Sequence, residues 1–533
     1  MNRATRTSLA GILAGGAALA TTELVALAEP TRPSLLVAVE TWFIDTFGGS
    51  LKDLAVELFG TADKAALAVG AVLVALALAP LAGRAEAAGR WRGVAVLGAF
   101  AALGVLATAR DPQGSLPVGL AAAGAGVVVG GVVLLLLLDR FGIRVAPGAD
   151  RLFADRRGAT PEPGQEPGHP PSPLAGVAAT RRDVVVWGLG AGALVVTGAA
   201  AAKGAGDALR AGRSAIPDTL PAAARGAEVP GAQPFSTPGL SPYVTPAADF
   251  YRIDTAVRTP LVDTDEWRLR VTGLVDRPLE LSYQDLLARD LVEEVVTLSC
   301  VSNEVGGSLV GNAVWRGVPL RELLDEAGVR AGATQLVGES VDGFTAGFPT
   351  SVLDDPDRPA LVALGMNGAP LPRAHGFPAR LVISGLYGYV SATKWLAEVR
   401  LTTLEEDGYW IDRGWAKEAP VKTQSRIDVP LRGDRLVAGT IPVAGVAWAP
   451  NRGVAKVEVR IDRQEWQEAE LGRVSSDDTW VQWHLAWEAT PGDHVIEVRA
   501  TDGAGRTQGA ARVDPIPDGA EGWHTRDVSV AAR

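Results

Sequence analysis

The chain holds one cysteine, two methionines and five histidines in 533 residues. A lone thiol, Cys300, excludes an intramolecular disulfide, and by itself it holds neither zinc nor an iron–sulfur cluster. The histidines are His169, His375, His484, His494 and His524, and the only methionine besides Met1 is Met366. None of these lies in a long apolar run, so a haem ligated within the bilayer is excluded. Cationic residues are outnumbered: 50 Lys and Arg against 61 Asp and Glu give a net charge of −11, without the basic footprint of a nucleic-acid binder. With 47% hydrophobic residues the composition is neither disordered nor collagenous. The apolar runs also lack paired ionisable residues, Glu23 aside, which speaks against an ion pathway.

What is present divides in two. Up to about residue 205 the chain is mostly Ala, Val, Leu and Gly. A bilayer span needs roughly 20 apolar residues, and five stretches qualify: 7–28, 65–82, 91–109, 116–138 and 183–202, together a membrane domain over 1–202. In the first, Thr21, Thr22 and Glu23 interrupt the run. Residues 35–59 read as interfacial helices. With the N-terminus inside, 12 Lys and Arg fall on the cytoplasmic side against 4 outside. The expected topology is therefore a multi-pass protein of the plasma membrane whose fifth span carries the remainder outside. A Pro- and Gly-rich linker, 158–173, precedes Arg181-Arg182, which resembles a twin-arginine export signal; a plain charge-based stop is the alternative.

Residues 203–240, rich in Ala, Pro and Gly, read as a tether. From 241 to 415 short strands and helices alternate: a strand at 267–275, a helix after Ser282, a buried strand at 293–307 running into a glycine turn, and a helix over 321–329 ending at Gly328. This pattern predicts an α+β domain. Residues 416–533 alternate apolar and polar, as in Val457, Val459, Ile461 and Val481, Trp483, Leu485, and predict a β-sandwich of immunoglobulin-like kind.

Cys300 stands in TLSCVSNEVGG. A lone cysteine is commonly a small buried hydrophobe, but a Gly-Gly turn exposes backbone amides and admits a bulky ligand. A soft thiolate suits a redox metal that arrives with its own organic ligand. A second cluster, HGFPARLVISGLYGYVSATKW (375–395), sets Arg, Lys, Ser, Thr and glycines about one apolar strand; a phosphate clamp and a polar strand edge are both open readings.

Together with Phe250-Tyr251-Arg252 and MNGAPLPRAHGFPARLV, these motifs resemble the sulfite oxidase family of molybdopterin-dependent oxidoreductases, over about 245–530 and in the family's order. The resemblance implies a molybdenum–molybdopterin cofactor with Cys300 as the protein's ligand to molybdenum. It implies that Tyr251, Arg252, Asn303, His375, Arg380, Ser391, Thr393 and Lys394 lie around the pyranopterin, with Asp342 in SVDGFTAG as a further hydrogen-bond partner. Cys300, Arg252 and Trp415 are the expected catalytic residues. The terminal β-sandwich matches the family's dimerisation domain, so a homodimer is expected.

Two departures stand out. Sulfite oxidases carry an arginine pair shortly after the cysteine, where this chain has Asn303-Glu304-Val305, and a carboxylate there is expected to repel sulfite. Trp415 takes the place of the family's active-site tyrosine, with Tyr409 the nearest alternative. The expected activity is oxygen-atom transfer on a small substrate, sulfur compounds included. Electrons would pass through a separate partner, a cytochrome c or a quinone-linked protein. The competing expectations are a non-catalytic cell-surface sandwich protein and an inactive cofactor binder.

Overall fold

The computed structural model describes residues 2–43, 46, 63–143, 216–231, 233–256 and 258–533. The apolar stretch 183–202, the Arg181-Arg182 pair and the linker 158–173 lie outside the described residues. The chain forms two compact units, one comprising Met1–Ser214 with Ala256–Leu261, the other Ala215–Thr255 with Val262–Arg533.

The first unit is helical: α1 (Arg3–Ala26), α2 (Asp63–Leu78), α3 (Pro80–Ala88), α4 (Arg92–Arg110) and α5 (Leu116–Arg140), with a further helical stretch at 35–43. Among the described residues four helices are long and apolar enough to cross a membrane: Arg3–Ala26, Gly70–Ala88, Arg92–Arg110 and Leu116–Arg140. Helix α1 begins four residues before the predicted 7–28 because the Asn2 side chain caps it, accepting from the Thr5 amide at 2.8 Å. Thr21 and Thr22 do not interrupt it. Their hydroxyls donate to the Ala17 and Leu19 carbonyls of the same helix, so both find partners without breaking it. Gly83 lets α1 and α3 meet closely, since a Cβ there would strike the Thr7 carbonyl. The buried Glu86 carboxylate accepts from the amides of Trp91 (2.9 Å) and Gly93 (2.8 Å), satisfying donors at the start of α4.

The second unit holds four sheets. One runs Leu279–Ser282, Arg268–Gly273, Leu396–Thr402, Gln335–Ser340, Thr345–Pro349 in spatial order. Another runs Val292–Ser299, Val310–Pro319, Ala360–Met366, Ala369–Pro370, with Arg380–Ile383 also paired to Ala360–Met366. The helix expected after Ser282 spans Tyr283–Leu287 and is held by a reciprocal cap between Ser282 and Asp285. The next ends at Ala327, where Gly328 takes φ +70°.

The remaining two sheets share one core, in which Val443, Val457, Val459, Trp483, Ile496 and Val498 are fully buried. The stretch expected to be a tether is, in its described part, laid along this unit. The Ala224 amide donates to the Leu291 carbonyl, Arg316 to that of Pro221, and the Gln233 side chain both donates to the Arg473 carbonyl and accepts from its amide. Its backbone groups find partners there that a free linker would seek in water.

Candidate cofactor site

Cys300 follows the last residue of the strand Val292–Ser299 and is a buried part of the lining of a cleft between the two α+β sheets. The cleft is narrow, with a cavity volume of about 80 Å³. Its walls bring Cys300 together with Tyr251, Asp342, His375, Arg380 and Lys394, six of the residues expected from sequence. The Cys300 thiol is 2.9 Å from the Ser302 hydroxyl.

Arg380 is the most telling of these. It opens the strand Arg380–Ile383, is 5% exposed, and its guanidinium donates only to main-chain carbonyls: His375 at 3.2 Å, Ala392 at 3.4 Å and Leu381 at 3.4 Å. The Trp315 ring lies 4.8 Å from it, and among the described residues no carboxylate reaches it. Burial lowers the group from 12.5 to about 10. A buried cation without a counterion is costly unless an anion arrives.

Lys394 lies opposite, lowered by burial to about 8 although Asp254 draws it up; the two form an ion pair of 2.8 Å. Asp254 also takes Arg252 at 3.0 Å, so it ties two cations together. Burial raises the Asp342 carboxyl above its ordinary value, helped by the negative Asp254 nearby. His375 is pushed down to about 4 by burial and by Arg380, Lys394 and Arg252, and one ring nitrogen is 2.8 Å from the Ala247 carbonyl. Burial, then the neighbouring Cys300, drives the Tyr251 phenol well above its usual range. Phe250 stacks on Tyr251 and meets His375 and Trp315 edge-on, fixing all three rings.

Five expected residues lie outside the cleft's lining. The Ser391 and Thr393 hydroxyls are fully buried and donate to the carbonyls of Tyr387 (3.1 Å) and Gly338 (3.3 Å). Asn303 braces the cysteine loop, accepting from the Leu309 amide at 2.8 Å. Arg252 is held sideways by Asp254, with its side chain 41% exposed. Trp415 packs behind Tyr389, ring centres 5.8 Å apart, so that Tyr389 and Trp410 face the cleft instead. Sequence reasoning missed Asp254, Tyr389 and Trp410; for Asp254 the only available signal was its place two residues after Arg252.

The Cys300 loop leans on the terminal sheets. Gly306, at φ +77°, has no room for a Cβ because the His524 ring lies against it. Arg426 donates to the Gly307 carbonyl at 2.9 Å. The Glu304 side chain is 72% exposed, with Arg512 at 4.0 Å. Its charge is therefore screened by solvent and partly offset, and repels an anion less than the sequence suggests.

The residues present fit a molybdenum–pterin group. They provide one soft ligand and two buried cations lining one cleft, one of which has no acidic partner among the described residues.

A sequence profile described as the oxidoreductase molybdopterin binding domain matches residues 256–410. The mitochondrial sulfite oxidase of Rattus norvegicus is 32% identical over 254 residues, 40% of this chain and 46% of that protein. An uncharacterized oxidoreductase of Bacillus subtilis, YuiH, is 36% identical over 154 residues, 29% of this chain and 74% of that protein. Among solved structures, the sulfane dehydrogenase SoxCD of Paracoccus pantotrophus aligns over 56% of this chain and 86% of its own, with 22% identity and a TM-score of 0.49. The chain spans about half the length of the sulfite oxidases it matches. By its matched domain and its coverage of the Bacillus oxidoreductase, the chain belongs to the sulfite oxidase-like family of molybdopterin oxidoreductases.

Proposed function

We propose that this chain is a membrane-anchored molybdenum enzyme working outside the cytoplasm, which transfers an oxygen atom to or from a small substrate. The single observation that carries the reading is Arg380, a buried guanidinium without a carboxylate, in the same cleft as the chain's only cysteine. When bound, molybdopterin supplies a metal that cycles between two oxidation levels as oxygen is transferred. Cys300 would be the protein's ligand to that metal. Arg380 and Lys394 would hold the anionic pterin side chain, and neutral His375 and the Asp342 carboxyl would hydrogen-bond its ring edges. Phe250 and Tyr251 exclude water from the thiol's side of the cleft.

In this reading residues 1–202 are the anchor, 203–240 the connection, 241–415 the cofactor domain and 416–533 an immunoglobulin-like domain through which two copies pair. The cysteine loop has no positive charge between Cys300 and Gly307, which favours substrates less anionic than sulfite. Electrons pass to a separate carrier. The deciding experiment is molybdenum and pterin analysis of the purified full chain after growth in molybdate-replete medium. Stoichiometric molybdenum is expected, and metal-free protein would reject the reading in favour of a non-catalytic surface protein. Screening S-oxides, N-oxides and sulfite against the loaded protein then names the substrate.

A further inference from the structure

The helical unit contains a second cavity, of about 640 Å³, lined by α1, the 35–43 helix and residues 70–82 of α2 and α3, together with α4 and α5. Its walls are almost wholly apolar: Leu19, Leu36, Val39, Leu97 and Phe100 are typical. Glu40 breaks the pattern. It lines the cavity at 5% exposure, and neither carboxylate oxygen has a hydrogen-bond partner among the described residues. Arg258 and Glu23 act on it electrostatically, with opposite signs, from beyond hydrogen-bond distance. A buried carboxylate left without donors costs several kcal/mol, and an ionisable group among membrane helices marks a binding function more often than a structural one.

We infer that this cavity binds the head group of a membrane quinol, whose ring hydroxyl donates to Glu40. The ligand must have an apolar body to match the walls and a neutral hydroxyl donor at one end to match the carboxylate. Phospholipid fails on the second count, because its phosphodiester has no hydrogen to donate to Glu40 and its charge meets no cation on the cavity wall. Thr22, the other polar residue on the wall, already donates its hydroxyl to the Leu19 carbonyl and keeps only acceptor capacity, which again calls for a donor. Residues 1–143, which build the cavity, hold neither histidine nor cysteine to ligate a haem or an iron–sulfur cluster beside it, and a diffusible organic carrier needs neither. Binding rests on the cavity alone; the carrier's use as electron partner rests on the proposed molybdenum function.

The test measures binding of decylubiquinol to the full chain in lipid nanodiscs. Saturable binding is expected, weakened about tenfold or more in Glu40→Leu, which keeps the bulk but removes the acceptor. Ala75→Phe, which fills the cavity from α2, should abolish binding, and Val128→Phe, on an exposed face of α5 outside the lining, should not change it. Thermal unfolding of each variant separates loss of fold from loss of site. Absence of saturable binding to the parent chain overturns the inference. So does binding indifferent to both Glu40→Leu and Ala75→Phe, or a tightly held phospholipid that decylubiquinol does not displace. Molybdenum is assayed on the same samples. Metal without quinol binding sinks this inference alone, whereas quinol binding without metal sinks only the proposed enzyme function.

Discussion

Replacing Arg380 by methionine should barely change the stability of the cofactor-free protein while nearly abolishing cofactor retention. The fall of the guanidinium to about 10 means that burial disfavours its charge by about 3 kcal/mol. Against that stand three long hydrogen bonds to the carbonyls of His375, Ala392 and Leu381, at 3.2–3.4 Å, each contributing about 1 kcal/mol or less. The two sums nearly cancel, and methionine restores most of the packing against Trp315. The apoprotein, made in a host unable to synthesise the pterin, should thus unfold within about 3 °C of the parent. With cofactor available the balance is different. Two charge-assisted contacts to an anion contribute roughly 1.5–3 kcal/mol each, so affinity should fall by about 10² to 10⁴-fold. Molybdenum content after purification reads this directly. A variant apoprotein destabilised by more than about 3 kcal/mol, or a variant made with cofactor available that still holds a full complement of molybdenum, would refute the reasoning.

Three further outcomes are expected. Cys300→Ser should abolish turnover yet keep most of the pterin, because Arg380 and Lys394 remain; full activity in that variant would reject Cys300 as the ligand. Both His375 and His524 are held down at about 4, so the folded state resists a proton that the unfolded chain accepts from about pH 6.5 downward. Stability should be full above pH 6.5 and fall by at most about 3 kcal/mol per histidine as the pH drops to 4. The double variant His375→Gln with His524→Gln should flatten that slope in acid unfolding, and an unchanged slope would assign it to other groups. Sulfite should reduce the loaded enzyme poorly, for want of positive charge in the cysteine loop, and rapid turnover at micromolar sulfite in a steady-state assay would contradict this.

The periodic features were legible in the sequence. The four apolar runs among the described residues become helices, the Ser282 and Gly328 signals bound theirs, and the alternation at Val457–Ile461 lies in a strand whose apolar side is buried. The site was legible to the extent that its residues have charge or sulfur: Cys300, Arg380 and Lys394 reach the cleft. Hydroxyls were not. Ser391 and Thr393 look like ligands in a glycine-rich motif, but their hydroxyls bond to the nearby main chain, a local choice that no sequence pattern announces. Asp254 shows the converse. It meets Lys394 across 140 positions, a pairing that exists only once both sheets are assembled. Trp415 was misplaced by one layer, because Tyr389 comes forward from the neighbouring turn and leaves it behind.

The support that His524 gives to Gly306 has a temporal consequence. His524 begins the strand His524–Ala531, 218 residues after Gly306, so in synthesis the loop beside Cys300 emerges long before the ring that lies against it. Until the terminal sheets form, Gly306 lacks that imidazole and the Gly307 carbonyl lacks the Arg426 guanidinium. The seating of the loop is thus a late event of folding, set by a neighbour remote in sequence and pressed against a residue that has no side chain.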